Sequence, residues 1–310
     1  MDKNILIIGG FGFLGKNINE QFKNTTYKLI NISRRNYHDI RNYSTLVDAL
    51  NYHKPDIIIF AAANVGSINY VSKYPANVVS DNNLMYNNLY NAVNQVNKDI
   101  IIINPISNCS YPGYIDIQTE DKWWDGEIHE SVLAYGMPKK MGFILSECFK
   151  KQYGIKTLNL IMPNSYGEYD YLDEEKTHAM NGIIMRMIKA QKNNDKEFVV
   201  WGSGKPIREW LYMPDMASII HYIIENEIYE LPSPINIGQE YGICINDTVE
   251  IVRKMLNYDV NIVHDLTKQD GAPKKVLSSK LFKKQFPDFQ FTPYNVGIKN
   301  TIKYYKKNIV

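Results

Sequence analysis

I-L-I-I-G-G-F-G-F-L-G, Ile5 to Gly15, is the stretch on which the fold turns. A short unbroken apolar run, Ile5 to Ile8, suits a strand buried on both faces of a parallel sheet. Gly9, Gly12 and Gly15 follow at G-x-x-G-x-x-G spacing, and a helix is predicted over 13–22. Glycine serves where the chain turns tightly, where backbone approaches a pyrophosphate, and where helix packs on strand. The helix N-terminus then offers free N–H groups to phosphates. A glycine turn alone says little. Its place between a first strand and a helix favours a dinucleotide site. Gly9, Gly12, Phe13, Leu14 and Gly15 are the contacts expected there.

Outward from this turn, Tyr27–Ile32 reads as a second strand, followed by Ser33, Arg34 and Arg35. An NAD site usually places Asp or Glu here for the ribose 2′-hydroxyl. A guanidinium suits a 2′-phosphate instead, so the expected cofactor is NADP(H). Asp39 falls where an adenine contact could lie. Ser44–His53 reads as a helix. Asp56–Ala63 is a buried strand whose small Ala61 and Ala62 let backbone pass close to the cofactor. A helix over 82–97 and the strand Ile100–Asn104 complete a doubly wound α/β pattern with a parallel, Rossmann-type sheet. Ile155–Met162 is the next strand. Beyond Pro163–Gly167 come a helix over 181–192, strand, turn and strand over 199–210, and a helix over 213–225 returning to the main sheet. The short strand Pro234–Gly238 and a helix over 246–256, with Asn246 as its cap, follow. The expected division is a cofactor domain over 1–165 with returning segments near 207–240, interleaved with a smaller α+β substrate-binding domain over 166–310.

Two stretches carry chemistry. P-I-S-N-C-S-Y-P begins at Pro105, just past a strand end, where ligands of open α/β sheets bind. Ser107 there can hydrogen-bond a carbonyl oxygen. Serine also caps turns, the ordinary use of the residue. A-Y-G-M-P-K, Ala134 to Lys139, sets Tyr135 and Lys139 four positions apart, one helical turn, on one face of a helix start. An ammonium beside a phenol favours phenolate and brings its pKa toward neutrality. Y-x-x-x-K is common on solvated helices and gains weight from the upstream glycines and Ser107. Pro138 fits if it lies in the first helical turn.

Composition excludes other classes. With 45% hydrophobic and 22% charged residues the chain reads as a soluble globular protein, and a net charge of +2 argues for neither nucleic acid nor an anionic membrane. Three scattered cysteines give no disulfide framework and no metal-ligand spacing, which suits a reducing cytoplasm. The N-terminal stretch is too short for a signal-peptide core, and no apolar run approaches the ~20 residues of a membrane helix.

With Gly9/Gly12/Gly15, Ser107 and Tyr135/Lys139 in that order, the chain resembles the extended short-chain dehydrogenase/reductases of the GDP-L-fucose synthase type, over nearly its whole length. S-x-C is matched by Ser107 to Cys109, and the histidine after N-x-Y-G by His178. V-V-W-G-S-G-x-P-x-R-E is matched by Val199 to Glu209, and D-G-x-P-x-K by Asp270 to Lys275. The resemblance implies NADPH-dependent reduction of the C4 keto group of a GDP-linked 4-keto sugar for surface polysaccharide. Tyr135 would be proton donor, Lys139 would hold the nicotinamide ribose, and Ser107 would bond the oxygen. Cys109 and His178 would be the pair that epimerises C3 and C5, or contacts of the substrate only; Cys109, two positions from Ser107, lies on the same side if that segment is extended. Asn164, Arg186, Trp201, Arg208 and Lys275 are the candidates for holding the GDP-sugar, with no metal. It further implies a homodimer through the helices near 82–97 and 136–153.

One stretch departs from the type. E-D-K-W-W-D-G-E-I-H-E-S-V-L, before Tyr135, lacks the expected leucines and proline, so Trp123, Trp124 and His129 suggest a different sugar, such as a heptose. The rival chemistries on the same fold are a 4,6-dehydratase and a 4-epimerase. A dehydratase wants an acid–base carboxylate pair where Ser107-Asn108-Cys109 stands. A non-catalytic NADP sensor tends to lose the tyrosine or lysine, and both are here.

Overall fold

The computed structural model describes residues 3–309. In its first half, β1 (Asn4–Ile8), α1 (Phe13–Phe22), β2 (Lys28–Ile32), α2 (Tyr43–His53), β3 (Ile57–Phe60), α3 (Ile68–Lys73), α4 (Pro75–Val96), β4 (Ile101–Ser107), α5 (Leu133–Tyr153) and β5 (Thr157–Met162) alternate. The second half runs β6 (Asn164–Tyr166), α6 (Ala179–Asn193), β7 (Glu197–Trp201), β8 (Ile207–Tyr212), α7 (Met213–Glu225), β9 (Ile235–Asn236), β10 (Gly242–Cys244) and α8 (Ile245–Leu256). It ends with β11 (Asn261–Asp265), β12 (Lys274–Lys275), α9 (Lys280–Gln285) and α10 (Tyr294–Asn308).

The main sheet has six parallel strands in the order β2-β1-β3-β4-β5-β9. Its strands bury both faces because successive side chains point opposite ways. Ile5, Ile7, Ile57 and Ile59 pack with α1 and α7. Leu6, Ile8, Ile58 and Phe60 pack with α2 and α4. The chain leaves β1 toward β2 on one side and later returns to β3 on the other. This makes a topological switch point beside Gly9, the usual crevice of such sheets.

A smaller sheet, β10-β8-β12 with β6 also on β8, closes the other side. Its register sets Lys275 opposite Arg208. β7 and β11 form a separate parallel pair. α6, α8 and α10 pack with these strands in their own core. Among the described residues no helix is long and apolar enough to cross a membrane.

Most expected elements stand within a residue or two of their places, and α1 and α7 coincide with them. Four details differ. α4 starts at Pro75, a residue suited to a helix's first position, rather than at Asn82. Pro138 lies in the second turn of α5, so the Ala134 carbonyl has no N–H at position 138 to accept. α8 is capped by the Cys244 sulfur, which accepts the Asp247 N–H, while Asn246 turns to Ser203 and His264. Residues 108–110 form a tight 3₁₀ turn rather than an extended segment.

Candidate active site

Two clefts open above the carboxyl ends of the main strands. The first is lined by the turn after β1, by Arg34, Arg35 and Asp39 beyond β2, by Ala61 and Ala62 beyond β3, and by Lys139. Gly9 has φ +89°, and a Cβ there would stand 2.7 Å from the Ala62 nitrogen, so the turn and the end of β3 approach as only glycine and small residues permit. Gly12 is the N-cap of α1 and has no side-chain cap, leaving first-turn N–H groups free to meet an anion. Gly15 does not line the cleft. It packs against Gly9 and Gly10 and lets helix approach turn.

At the far end Ser33 and Asn36 form a reciprocal cap that fixes the turn carrying Arg34 and Arg35. Both guanidiniums lack a carboxylate partner among the described residues. Asp39 is gripped by Arg41, whose hydrogen bonds hold its carboxyl below the usual range despite partial burial. These features fit a dinucleotide with a 2′-phosphate: bare helix N–H groups for the pyrophosphate and two unpaired arginines for the extra charge.

The second cleft runs between the main sheet and the smaller one, and is lined by Cys109, Asn164, Arg186, Trp201, Arg208 and Lys275. Arg186 stacks on Trp201, 4.4 Å from the ring centre, and donates to the Val199 carbonyl at 2.7 Å. Arg208 donates to the Ile207 carbonyl at 2.8 Å, and burial pulls it down to about 10. Among the described residues neither arginine nor Lys275 has a carboxylate partner. The Asn164 amide nitrogen is buried with nothing to donate to. Buried polar groups rarely stay unpaired, and three cations without a carboxylate partner beside such a donor fit an anionic ligand such as a diphosphate.

The neighbouring motif residues build this wall rather than line it. Glu209 is buried and accepts the Glu240 and Leu277 N–H groups at 3.1 and 2.7 Å, with Gln239 closer still. Burial pushes its carboxyl up to about 7 against those bonds. It pins β8 to the flanks of β9 and β12. Asp270 accepts both the Ser203 N–H and hydroxyl at 2.7 Å, tying the G-S-G turn to the D-G-x-P segment.

Ser107, Tyr135, Met162 and His178 line both clefts and so stand at their junction. Ser107 does cap the turn after β4, accepting the Cys109 N–H at 3.2 Å, and faces the junction as well. That turn, not an extended strand, brings Cys109 into the second cleft, with its sulfur 3.2 Å from Lys275 Nζ. Burial pushes the Cys109 thiol up, but the Lys275 ammonium, the Ser107 hydroxyl and Arg208 outweigh it, and the net shift is downward. Burial pulls Lys275 down, and Cys109 opposes that.

The sequence reading of Tyr135 and Lys139 needs correction. Lys139 Nζ lies 5.6 Å from the Tyr135 ring centre but hydrogen-bonds Tyr86 at 3.1 Å. Burial pulls Lys139 down to about 8 and pushes Tyr135 up, with Cys109 adding to the latter. Desolvation is the first cause of each shift, and neither group is moved by the other. Tyr135 therefore rests as a neutral phenol, a proton donor.

Tyr86 escaped the sequence reading, as did Asp170. Tyr86 donates to Asn104 at 3.1 Å, and Asn104 to Asn159 at 2.9 Å, a buried polar line behind Lys139. Asp170 bonds His178 Nδ1 at 3.0 Å. Neither carries a local signal, because folding alone brings it to its partner. Trp123 and Trp124 do not face the cleft: Trp123 is core, bonded to Ser110, and Trp124 lies on the surface against Lys140. His129 is buried against Ser131. None of the three lines either cleft.

Residues 5–238 match the NAD dependent epimerase/dehydratase family. The GDP-L-colitose synthase of Yersinia pseudotuberculosis is 30% identical over 305 residues, 97% of each chain. The GDP-L-fucose synthase of Dictyostelium discoideum is 26% identical over 311 residues, covering 99% of this chain and 96% of its own. A crystal structure of a GDP-L-fucose synthetase from Naegleria fowleri bound to NADP superposes with a TM-score of 0.83 at 27% identity, covering 99% of this chain and 94% of that one.

Proposed function

The chain belongs to the NAD dependent epimerase/dehydratase family, and from that footing we propose that it reduces the C4 keto group of a GDP-linked 4-keto sugar with NADPH. The sugar is a 6-deoxyhexose or a heptose bound for surface polysaccharide. One observation carries the reading: Ser107 and Tyr135 stand where a dinucleotide cleft with unpaired arginines meets a second cleft with three cations free of carboxylates. The names of the relatives support the GDP-sugar, and the NADP-bound relative supports the cofactor.

Gly9, Gly12, Arg34, Arg35, Ala61 and Ala62 would hold NADPH in the first cleft, where it would supply the hydride for the keto carbon. As the carbonyl bond opens, its electron pair collects on oxygen. Tyr135, neutral at rest, gives that oxygen its proton, and the Ser107 hydroxyl donates a hydrogen bond to it. Lys139 holds the ribose beside Tyr135. Arg186, Arg208 and Lys275 pair with the diphosphate, and the Asn164 amide gains an acceptor. Cys109 is the base and His178 the acid for protons at C3 and C5, which the keto group acidifies. The cofactor domain is residues 1–165 with a returning segment near 207–240, of which α7 and β9 rejoin the main sheet while β8 stays in the smaller one.

The protein acts as a homodimer. Leu133, Met137, Met141 and Ile144 form one exposed apolar stripe on α5, Leu84 of the neighbouring α4 is exposed as well, and these supply the surface for it.

The test mixes protein, NADPH and GDP-4-keto-6-deoxymannose, and a heptose counterpart, in deuterated water. Reduced cofactor should be consumed in step with alcohol product. Tyr135→Phe should slow this by roughly 10²–10⁴-fold while NADPH binding persists. Deuterium at C3 or C5, lost on Cys109→Ser, reports epimerisation. A Tyr135→Phe protein as fast as the parent would refute the mechanism.

A further inference from the structure

The carboxylate of Asp170 has no exposed surface, while the His178 side chain is 28% exposed at the cleft junction. Asp170 Oδ1 faces His178 Nδ1 at 3.0 Å. Its other oxygen accepts the His178 backbone N–H at 2.8 Å, the Thr177 hydroxyl at 3.1 Å and the Asn181 amide at 2.9 Å. All three bonds to Oδ2 are received, as an ionised carboxylate requires. Nδ1 is committed to Asp170, so Nε2 is the ring nitrogen left for the cleft.

His178 stands at the N-cap of α6. The positive end of a helix disfavours an imidazolium, and so does burial. The groups that oppose them are Asp170, from the preceding loop, and the Cys109 sulfur, from the turn after β4. Phe13 of α1 packs on the ring at 5.3 Å and brings no charge. Tyr171, Tyr304 and Tyr305 face Asp170 as neutral phenols. Cys109 in turn is faced by Lys275 and Arg208, and also influences Lys139, Tyr135 and His178.

We infer that Asp170 is a positioning residue: it holds His178 as an imidazolium with Nε2–H toward the substrate, so that proton donor and proton acceptor are assigned before the sugar arrives. Cys109 beside Lys275 is the acceptor of the pair. Without the buried carboxylate, helix end and burial together return His178 to the neutral ring, and both members of the pair become bases. This rests on the epimerisation arm of the proposed function. A bare structural cap at the head of α6 would need the bonds to Oδ2 but not the contact with Nδ1.

The test is a nitrogen-resolved NMR titration of labelled histidines, with His178 assigned among the six by His178→Asn. It needs no turnover and so stands apart from the identity of the sugar. In the parent His178 should titrate above the ordinary imidazole value, and in Asp170→Asn below its parental value. With a GDP-4-keto sugar that exchanges, deuterium uptake at C3 or C5 in Asp170→Asn should fall in proportion to the protonated fraction of His178 at the assay pH, approaching about tenfold per unit only where the midpoint lies below that pH, and recover on acidification. Reduction of a ketone needing no epimerisation should be far less affected. A parental His178 that titrates at or below the ordinary value overturns the inference even if the variant fails to fold. So does an unchanged midpoint in Asp170→Asn, or equal loss of exchange and reduction at every pH. Failure of every GDP-4-keto sugar to turn over would sink the proposed function and leave the titration to decide this point alone.

Discussion

Gly12→Ala and Gly15→Ala, three residues apart, should fail in opposite ways. A Cβ on Gly15 would stand 2.6 Å from Gly10 Cα and 2.7 Å from its carbonyl carbon, with the Gly9 carbonyl oxygen closer still. All three are backbone atoms, so no side chain can swing aside. Ordinary contact begins near 3.4 Å, which requires α1 to draw back from the turn by at least about 0.8 Å, the difference between 3.4 and 2.6 Å, and by more to clear the Gly9 oxygen. Overpacking of this kind costs about 1–3 kcal/mol. A Cβ on Gly12 meets only the Gly9 oxygen, at 3.2 Å, and otherwise projects into open space at the cleft. Gly12 has φ −85° and ψ −175°, extended backbone that alanine adopts freely. Stability without cofactor should thus stay within about 0.5 kcal/mol of the parent. What Gly12→Ala removes is the approach of a phosphate to the bare first turn of α1. Losing one charge-assisted bond there costs about 1.5–3 kcal/mol, roughly 10- to 150-fold in Kd for NADPH. Urea unfolding without ligand and fluorescence titration with NADPH measure the two quantities separately. Gly12→Ala binding NADPH as tightly as the parent, or Gly15→Ala matching it in stability, would refute the reasoning.

Three more outcomes are expected. Tyr86→Phe removes the hydroxyl between Lys139 and Asn104, all of it buried, and should cost about 1.5–3 kcal/mol in urea unfolding; no measurable loss would mean that Lys139 finds another partner. Lys275→Met takes away the cation that favours the Cys109 thiolate, so the thiol rises. At any fixed pH below the titration less thiolate remains, and the pH profile of Cys109 alkylation by iodoacetamide, identified against Cys109→Ser, should move upward; an unmoved profile counts against the pair. Met141→Glu with Ile144→Glu places charges in the exposed stripe of α5 and should turn a dimer into a monomer in sedimentation velocity, with NADPH binding kept; a parent that sediments as a monomer disposes of the homodimer.

What could be read from the chain followed from how local each signal is. The strand, glycine turn and helix at Ile5–Phe22 are set by neighbours within a few residues, and they stand as read. Arg208 and Lys275, from the two longer motifs, come together because β8 and β12 are adjacent strands of one small sheet, while Trp201 ends β7 in the separate pair with β11. The errors share a cause. Cys109 was expected on an extended segment, yet Ser107 caps a tight turn there. Asn246 was expected as a cap, yet the Cys244 sulfur serves. In each case a side chain had two uses for its hydrogen bonds and tertiary contacts chose between them.

The deepest misreading concerned charge. Spacing alone puts Lys139 beside Tyr135 and so predicts an acidified phenol. It says nothing of the dielectric around them. The fold buries both, gives the ammonium to Tyr86, and sets Tyr135 near a sulfur favoured as thiolate. Burial then disfavours the charged form of each, so the tyrosine is kept protonated and the lysine weakened. For a reductase that is the useful state, since the phenol must give its proton as negative charge reaches the keto oxygen. It also explains why Tyr86 and Asp170 matter. Each holds, from outside the motifs, a group that lines a cleft: Tyr86 reaches Lys139 only once α4 and α5 pack together, and Asp170 reaches His178 when the loop before α6 folds back on the helix end.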